Sequence, residues 1–122
     1  YAALMLIEAI ISSGKLLSTR LVDLQNKYIN TCYQRFDLNL DNMNYKSKLE
    51  TIIKDSPPKL ILGKSVKEIT FLDGIKLRLD IGDWIMFRFS GTEPLLRIYC
   101  EAPTQKLVEQ RLDWAKIFVR DL

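Results

Sequence analysis

The sequence predicts an α+β fold, a mostly antiparallel sheet of four to five strands with helices on one face, preceded by a separate helical stretch. Three observations carry this. From residue 59 the pattern is strand-like, with apolar and polar residues alternating around Asp73-Gly74 and Gly82-Asp83. Two segments with apolar residues at helical spacing flank that region, one around Tyr45–Lys54 and one around Leu107–Val119. The first residues, YAALMLIEAII, are apolar almost throughout and run into Ser12-Ser13-Gly14, a helix with a glycine stop.

Taken in order, residues 1–13 form the first helix, apolar round most of its surface and therefore expected to be buried on several sides in a larger protein. Ser18 is the expected N-cap of a short amphipathic helix through Leu21, Val22 and Leu24 to Tyr28, with Ile29–Thr31 leading out of it. Residues 32–40 alternate, with Cys32, Gln34, Phe36, Leu38 and Leu40 on one side, and read as a half-exposed strand. Asp41 and Asn42 are cap or turn residues before a helix that Asp55-Ser56-Pro57-Pro58 breaks. Val66–Phe71 and Ile75–Ile81 are strands joined by a two-residue Asp73-Gly74 hairpin, then Gly82-Asp83 turns into a strand over Trp84–Phe89. Ser90–Pro94 is a loop, Leu95–Glu101 the last strand, and Thr104 the N-cap of the closing helix. From about residue 32 the order is thus β-α-β-β-β-β-α. The boundary falls near residues 28–32, giving a helical tail and linker over 1–31 and a second domain over 32–122.

Composition narrows the chemistry. The 122 residues carry 18 basic and 15 acidic side chains, a net charge of +3, with Lys and Arg scattered rather than gathered, which argues against a nucleic-acid partner. Lys46, Lys48, Lys54, Lys59, Lys64 and Lys67 read as solubility charges. There is no histidine, so no Ser-His-Asp or Cys-His arrangement exists within the chain. No Asp-x-Asp-x-Asp cluster is present, so no metal site is expected. Cys32 and Cys100 read as reduced, partly buried thiols of a cytoplasmic protein. Trp84 and Trp114 read as packing residues. The opening apolar run is too short to span a bilayer, is interrupted by Glu8 and lacks a basic flank, so no membrane is expected. The better reading is a buried helix of a protein that continues upstream, sticky enough here for the chain to self-associate through residues 1–11.

The stretch that carries chemistry is Arg88-Phe89-Ser90-Gly91-Thr92-Glu93-Pro94-Leu95-Leu96-Arg97, between two strands expected to be central. A phosphate dianion needs several donors converging on one point. Guanidinium groups at Arg88 and Arg97 supply charge-assisted bidentate bonds, Ser90 and Thr92 supply hydroxyls, and Gly91 lets the backbone approach and present its N–H. The same residues also suit a polar hairpin loop with solvated arginines, and Glu93 then pairs with one of them. The spacing is not that of a nucleotide-binding P-loop.

The string RFSGTEPLLRIYCEA resembles the C-terminal phosphate-binding signature of the α-D-phosphohexomutase superfamily, which includes phosphoglucomutase, phosphomannomutase and phosphoglucosamine mutase. The Asp73-Gly74 hairpin, the Asp83-Trp84 strand and the opening AALMLIEAIISSGKLLS are similar to the same family, so the resemblance covers nearly the whole chain and is weakest over 42–60. It implies a TATA-binding-protein-like C-terminal domain, preceded by helices that close the third domain. It implies further that Arg88, Ser90, Gly91, Thr92 and Arg97 hold the substrate phosphate, with Glu93 in a supporting role as partner of an arginine. The reaction implied interconverts hexose 1-phosphate and hexose 6-phosphate, of glucose or mannose, through a hexose 1,6-bisphosphate intermediate. It uses Mg2+ and a phosphoserine held by other domains of the same enzyme. None of those motifs occurs here, so the resemblance implies no catalytic and no metal residue in this chain, which would be inactive alone. The alternative is a non-catalytic α+β module that binds a phosphorylated ligand.

Overall fold

The structure, a computed structural model, describes residues 1–28 and 30–122, so Ile29, at the start of the expected lead-out, lies outside the described residues. The chain divides into two units, Tyr1–Asn30 and Thr31–Leu122.

In the first unit α1 spans Ala2–Ser13 and stops where Gly14 takes a left-handed φ of 61° and returns its N–H to the Ile11 carbonyl. Helix α2 spans Leu17–Lys27 and meets α1 at 96°. Ser18 is not its cap. The helix begins one residue before Ser18, and Leu16 stands at the N-cap position in extended conformation with no side-chain bond. Neither helix contains a buried residue. Leu4 is 70% and Ile11 74% exposed, so the apolar surface expected to need covering is open in this unit. Among the described residues no single helix is long and apolar enough to cross a membrane.

The second unit is the predicted α+β domain. Its elements are β1 (Cys32–Asn39), α3 (Met43–Asp55), β2 (Leu60–Ile61), β3 (Lys64–Ser65), β4 (Glu68–Thr70), β5 (Ile75–Asp80), β6 (Asp83–Phe89), β7 (Leu95–Ala102) and α4 (Gln105–Arg120). Five strands form one sheet in the order β1-β7-β6-β5-β4, every neighbour antiparallel. The helices start where the sequence supplies a cap. Asn42 Oδ1 accepts from the Tyr45 N–H at 2.9 Å, and Thr104 Oγ1 accepts from the Leu107 N–H at 3.3 Å. Both helices bury an apolar stripe against one sheet face, where Leu49, Ile53, Val108, Leu112, Ala115 and Val119 join Ile75, Leu77, Leu79, Ile85, Phe87, Leu96, Ile98 and Cys100 in the core. Within this unit the other sheet face has no helix over it. It carries Tyr33, Trp84, Met86, Tyr99 and the charged residues between them. Trp84 lies there rather than in the core, donating to Glu101 at 2.8 Å under the Lys76 ammonium.

Four details differ from the sequence reading. A small hairpin, β2–β3, precedes β4, with Leu62 and Gly63 at φ 50° and 79° in its turn, and it buries Ile61 in the core. Strand β4 is short, and the following turn takes in Phe71–Gly74 rather than two residues, because Phe71 and Leu72 face solvent. Ile81 leaves the strand and is 71% exposed in the turn. Asp83 is not a turn residue. It begins β6 buried, where Arg111 of α4 grips its carboxylate in a fork (Nη2 to Oδ2 at 2.9 Å) and Lys64 adds a third contact at 2.8 Å. That cluster ties the β2–β3 hairpin, β6 and α4 together.

A cationic hairpin loop as the candidate functional site

The loop between β6 and β7 lies in the middle of the sheet. Register sets its chemistry: Phe89 pairs with Leu96, and one rung back Arg88 stands directly opposite Arg97. Directly opposed residues on one face of an antiparallel pair have Cβ atoms roughly 4.5–5.5 Å apart. The two arginines therefore share the helix-free face as neighbours, both half-buried. Like charges so placed repel, at about 0.2–1 kcal/mol unless something negative lies between them. Asp37 of β1 is the cross-strand neighbour of Arg97, but its carboxylate pairs with Arg35 at 2.9 Å. Arg88 reaches Asp73 at 3.4 Å, and that aspartate is 70% exposed.

The loop backbone is braced. Ser90 N–H donates to the Leu95 carbonyl at 2.9 Å and Leu95 N–H to the Glu93 carbonyl at 2.8 Å. Leu40 N–H, at the end of β1, donates to the Pro94 carbonyl at 2.8 Å. From beneath, Lys46 Nζ of α3 donates to the Ser90 carbonyl at 2.7 Å. By contrast, among the described residues the backbone N–H groups of Gly91, Thr92 and Glu93 donate to no protein acceptor, and all three residues are exposed. Successive free N–H groups in a fixed turn form an anion-receiving nest.

The sequence-derived residues are thus brought together unequally. Ser90 is buried at the base of the loop, Gly91 and Thr92 lie at its open tip, and Arg88 and Arg97 stand side by side on the sheet below. A Cβ on Gly91 would meet nothing within 4 Å, so the chain's own packing does not demand glycine there. What glycine leaves is an unobstructed N–H. Glu93 is exposed and, among the described residues, forms no ion pair with either arginine.

Gly74 is the glycine that geometry does demand. Its φ is 141°, and a Cβ would lie 2.7 Å from the Phe87 carbonyl oxygen and 3.4 Å from Arg88 Cα, so the β4–β5 turn packs hard against the strand that carries Arg88. Lys46 is the residue that sequence reading missed. Grouped with surface lysines, it is only 7% exposed. A signal existed, since Lys46 stands three and seven residues before the buried Leu49 and Ile53, on the same helical face. Among the described residues no group of three or more His, Cys, Asp or Glu side chains is placed to hold a metal ion.

Fold and loop together define an α+β domain that presents a cationic, donor-rich hairpin. The chain belongs to the phosphoglucomutase/phosphomannomutase C-terminal domain family, whose sequence profile matches residues 40–113. It is similar to a phosphopentomutase of Thermococcus kodakarensis, 39% identical over 54 residues that make up 44% of this chain and 12% of the relative. It is also similar to a probable phosphoglucosamine mutase of Pyrococcus horikoshii, 36% identical over 77 residues, 63% of this chain and 16% of the relative. A probable phosphoglucosamine mutase of Pyrococcus abyssi is 46% identical over 55 residues, 45% of this chain and 12% of that protein. The chain therefore spans a small part of the curated relatives that it matches.

Proposed function

We propose that this chain is the C-terminal piece of a cytoplasmic phosphohexomutase and that its β6–β7 loop clamps the phosphate of the sugar substrate. In this reading residues 1–31 close the preceding domain and 32–122 form the clamp. The observation that carries it is the pairing of Arg88 with Arg97 beneath the free N–H groups of Gly91, Thr92 and Glu93. Each arginine donates in a fork to phosphate oxygens, the N–H nest and the Ser90 and Thr92 hydroxyls complete the shell, and the ligand removes the repulsion between the guanidiniums. Such an anchor reads phosphate and not sugar, so it serves a hexose phosphate in either orientation. Relatives named for glucosamine and pentose phosphates extend the candidate substrates beyond glucose and mannose.

Anchoring the phosphate that does not react lets its binding energy position the end that does. Among the described residues no group of three or more His, Cys, Asp or Glu side chains is placed to hold a metal ion, and in this reading the Mg2+ is held by another domain. The phosphoryl transfer belongs to other domains of the same enzyme, and the chain alone is inactive. With those partners absent, residues 1–11 give the isolated chain a surface for self-association.

Titration of the 15N-labelled chain with glucose 1-phosphate, inorganic phosphate and glucose tests this. The two phosphates should move the amide signals of Gly91, Thr92 and Glu93, and glucose should not. Amides that stay still at saturating phosphate, or that move as much with glucose, would sink the clamp. A phosphate response in this chain, together with an upstream sequence that lacks a phosphoserine loop and an aspartate-rich metal loop, would favour the non-catalytic module.

A further inference from the structure

Among the described residues Lys46 is a cation without a counter-ion. Its side chain is buried beneath the loop, and among the described residues its ammonium makes one hydrogen bond, to the Ser90 carbonyl at 2.7 Å. Among the described residues no carboxylate lies within ion-pair distance of it. A buried charge held by one neutral dipole is costly. Among the described residues nothing supplies the compensating negative charge.

The geometry indicates what the contact does. The Ser90 carbonyl and the Gly91 N–H belong to one peptide unit, and across a trans peptide the two point in opposite directions. Drawing the Ser90 oxygen inward toward Lys46 therefore turns the Gly91 N–H outward, to the open side of the loop where no protein acceptor meets it. It also holds an electronegative carbonyl away from any bound anion. Lys46 reaches this place because Asn42 caps α3 one turn earlier, which sets the helical phase that carries Lys46, Leu49 and Ile53 inward together.

We propose that Lys46 is a positioning residue of the anion site: it aims the Gly91 N–H at a phosphate monoester and supplies from below the loop a positive charge that the bound dianion compensates. This rests on the phosphate reading of the loop, and the test separates the two. Lys46→Met removes charge and hydrogen bond at similar volume, whereas Lys46→Gln keeps a donor and removes the charge. Affinity for inorganic phosphate is measured by amide shifts at a temperature where each variant is folded, with unfolding midpoints recorded in parallel. Lys46→Met should bind about tenfold more weakly, equivalent to about 1.4 kcal/mol. Lys46→Gln should fall between it and the native chain, and the Gly91 amide should lose most of its response in Lys46→Met. Native affinity in both folded variants overturns the proposal and leaves the clamp standing. If Lys46→Met does not fold, Lys46→Gln decides, unchanged affinity counting against the proposal. In the native chain, a Gly91 amide that stays still while Thr92 responds to phosphate also overturns it. A native chain that binds no phosphate removes the clamp and this inference together.

Discussion

Replacing Arg88 with alanine separates a clamp from a structural strand residue, because the two accounts predict opposite balances of stability and binding. The stability side is small. Among the described residues Arg88 has one ion pair, to an aspartate 70% exposed, at 3.4 Å. Pairs of that kind contribute about 0–1 kcal/mol. Against that loss stands relief of the repulsion with Arg97 directly across the ladder, about 0.2–1 kcal/mol. The two nearly cancel, so the unfolding midpoint should move by less than the roughly 4–8 °C that 1 kcal/mol produces in a domain of this size. The binding side is large. A guanidinium forking onto phosphate makes two charge-assisted hydrogen bonds, each contributing about 1.5–3 kcal/mol. Losing the pair weakens phosphate binding by at least about 100-fold. Thermal unfolding followed by circular dichroism gives the first quantity and phosphate titration of the same samples the second. A stability loss of several kcal/mol with affinity unchanged would falsify the reasoning.

Other outcomes follow from the same contacts. Arg111→Met strips Asp83 of its fork and leaves it only Lys64, so urea unfolding should show a loss of about 3 kcal/mol. The double variant Asp83→Leu with Arg111→Met should recover most of that loss, and a double variant worse than the single would contradict a desolvation origin. Gly74→Ala should cost about 2 kcal/mol or more, read by the same assay, because φ 141° and the contact with the Phe87 carbonyl both oppose a Cβ. Burial pushes the Cys100 thiol up to about 12. Its neutral form therefore stabilises the fold fully below the ordinary thiol value of 9.0, and that contribution drains away as pH rises from there toward 12. The stability difference between the native chain and Cys100→Ala should shift against the native chain between pH 8 and pH 10. At pH 8 a thiol reagent should modify the half-buried Cys32 in the folded chain and reach Cys100 only on unfolding. Glutamate at Leu4 and Ile7, both on the exposed face of α1, should lower the mass seen by light scattering, and a native chain that is strictly monomeric counts against self-association.

Much of this was legible because local patterns and tertiary needs agreed. Ile75, Leu77 and Leu79 alternate and all three are fully buried; Asn42 and Thr104 look like caps and act as caps. The candidate loop was legible as residue types, but its geometry was not. Nothing local says that Arg88 falls opposite Arg97, since that register follows from the hydrogen bond between Ser90 and Leu95 that closes the loop. The misses share a cause. Asp83, Arg111 and Lys46 are charged, and composition sends charged residues to the surface, yet each lies in phase with a buried stripe: Arg111 follows Val108 by three and precedes Ala115 by four. Helical phase outweighed side-chain type because a partner was waiting, the Asp83 carboxylate for Arg111 and the Ser90 carbonyl for Lys46. Glu93 was read as a partner of an arginine because two stand near it in sequence; it is exposed and unpaired among the described residues. The β2–β3 hairpin escaped notice because its turn uses Leu62 at positive φ, a position where sequence rules look for Asn, Asp or Gly.

The most direct test of the clamp is a crystal structure of the chain with a sugar phosphate bound. The account predicts the phosphorus atom between the guanidiniums of Arg88 and Arg97, with its oxygens within about 3 Å of the N–H groups of Gly91 and Thr92. A phosphate bound elsewhere on the domain, with the loop and both arginines unoccupied, would contradict it.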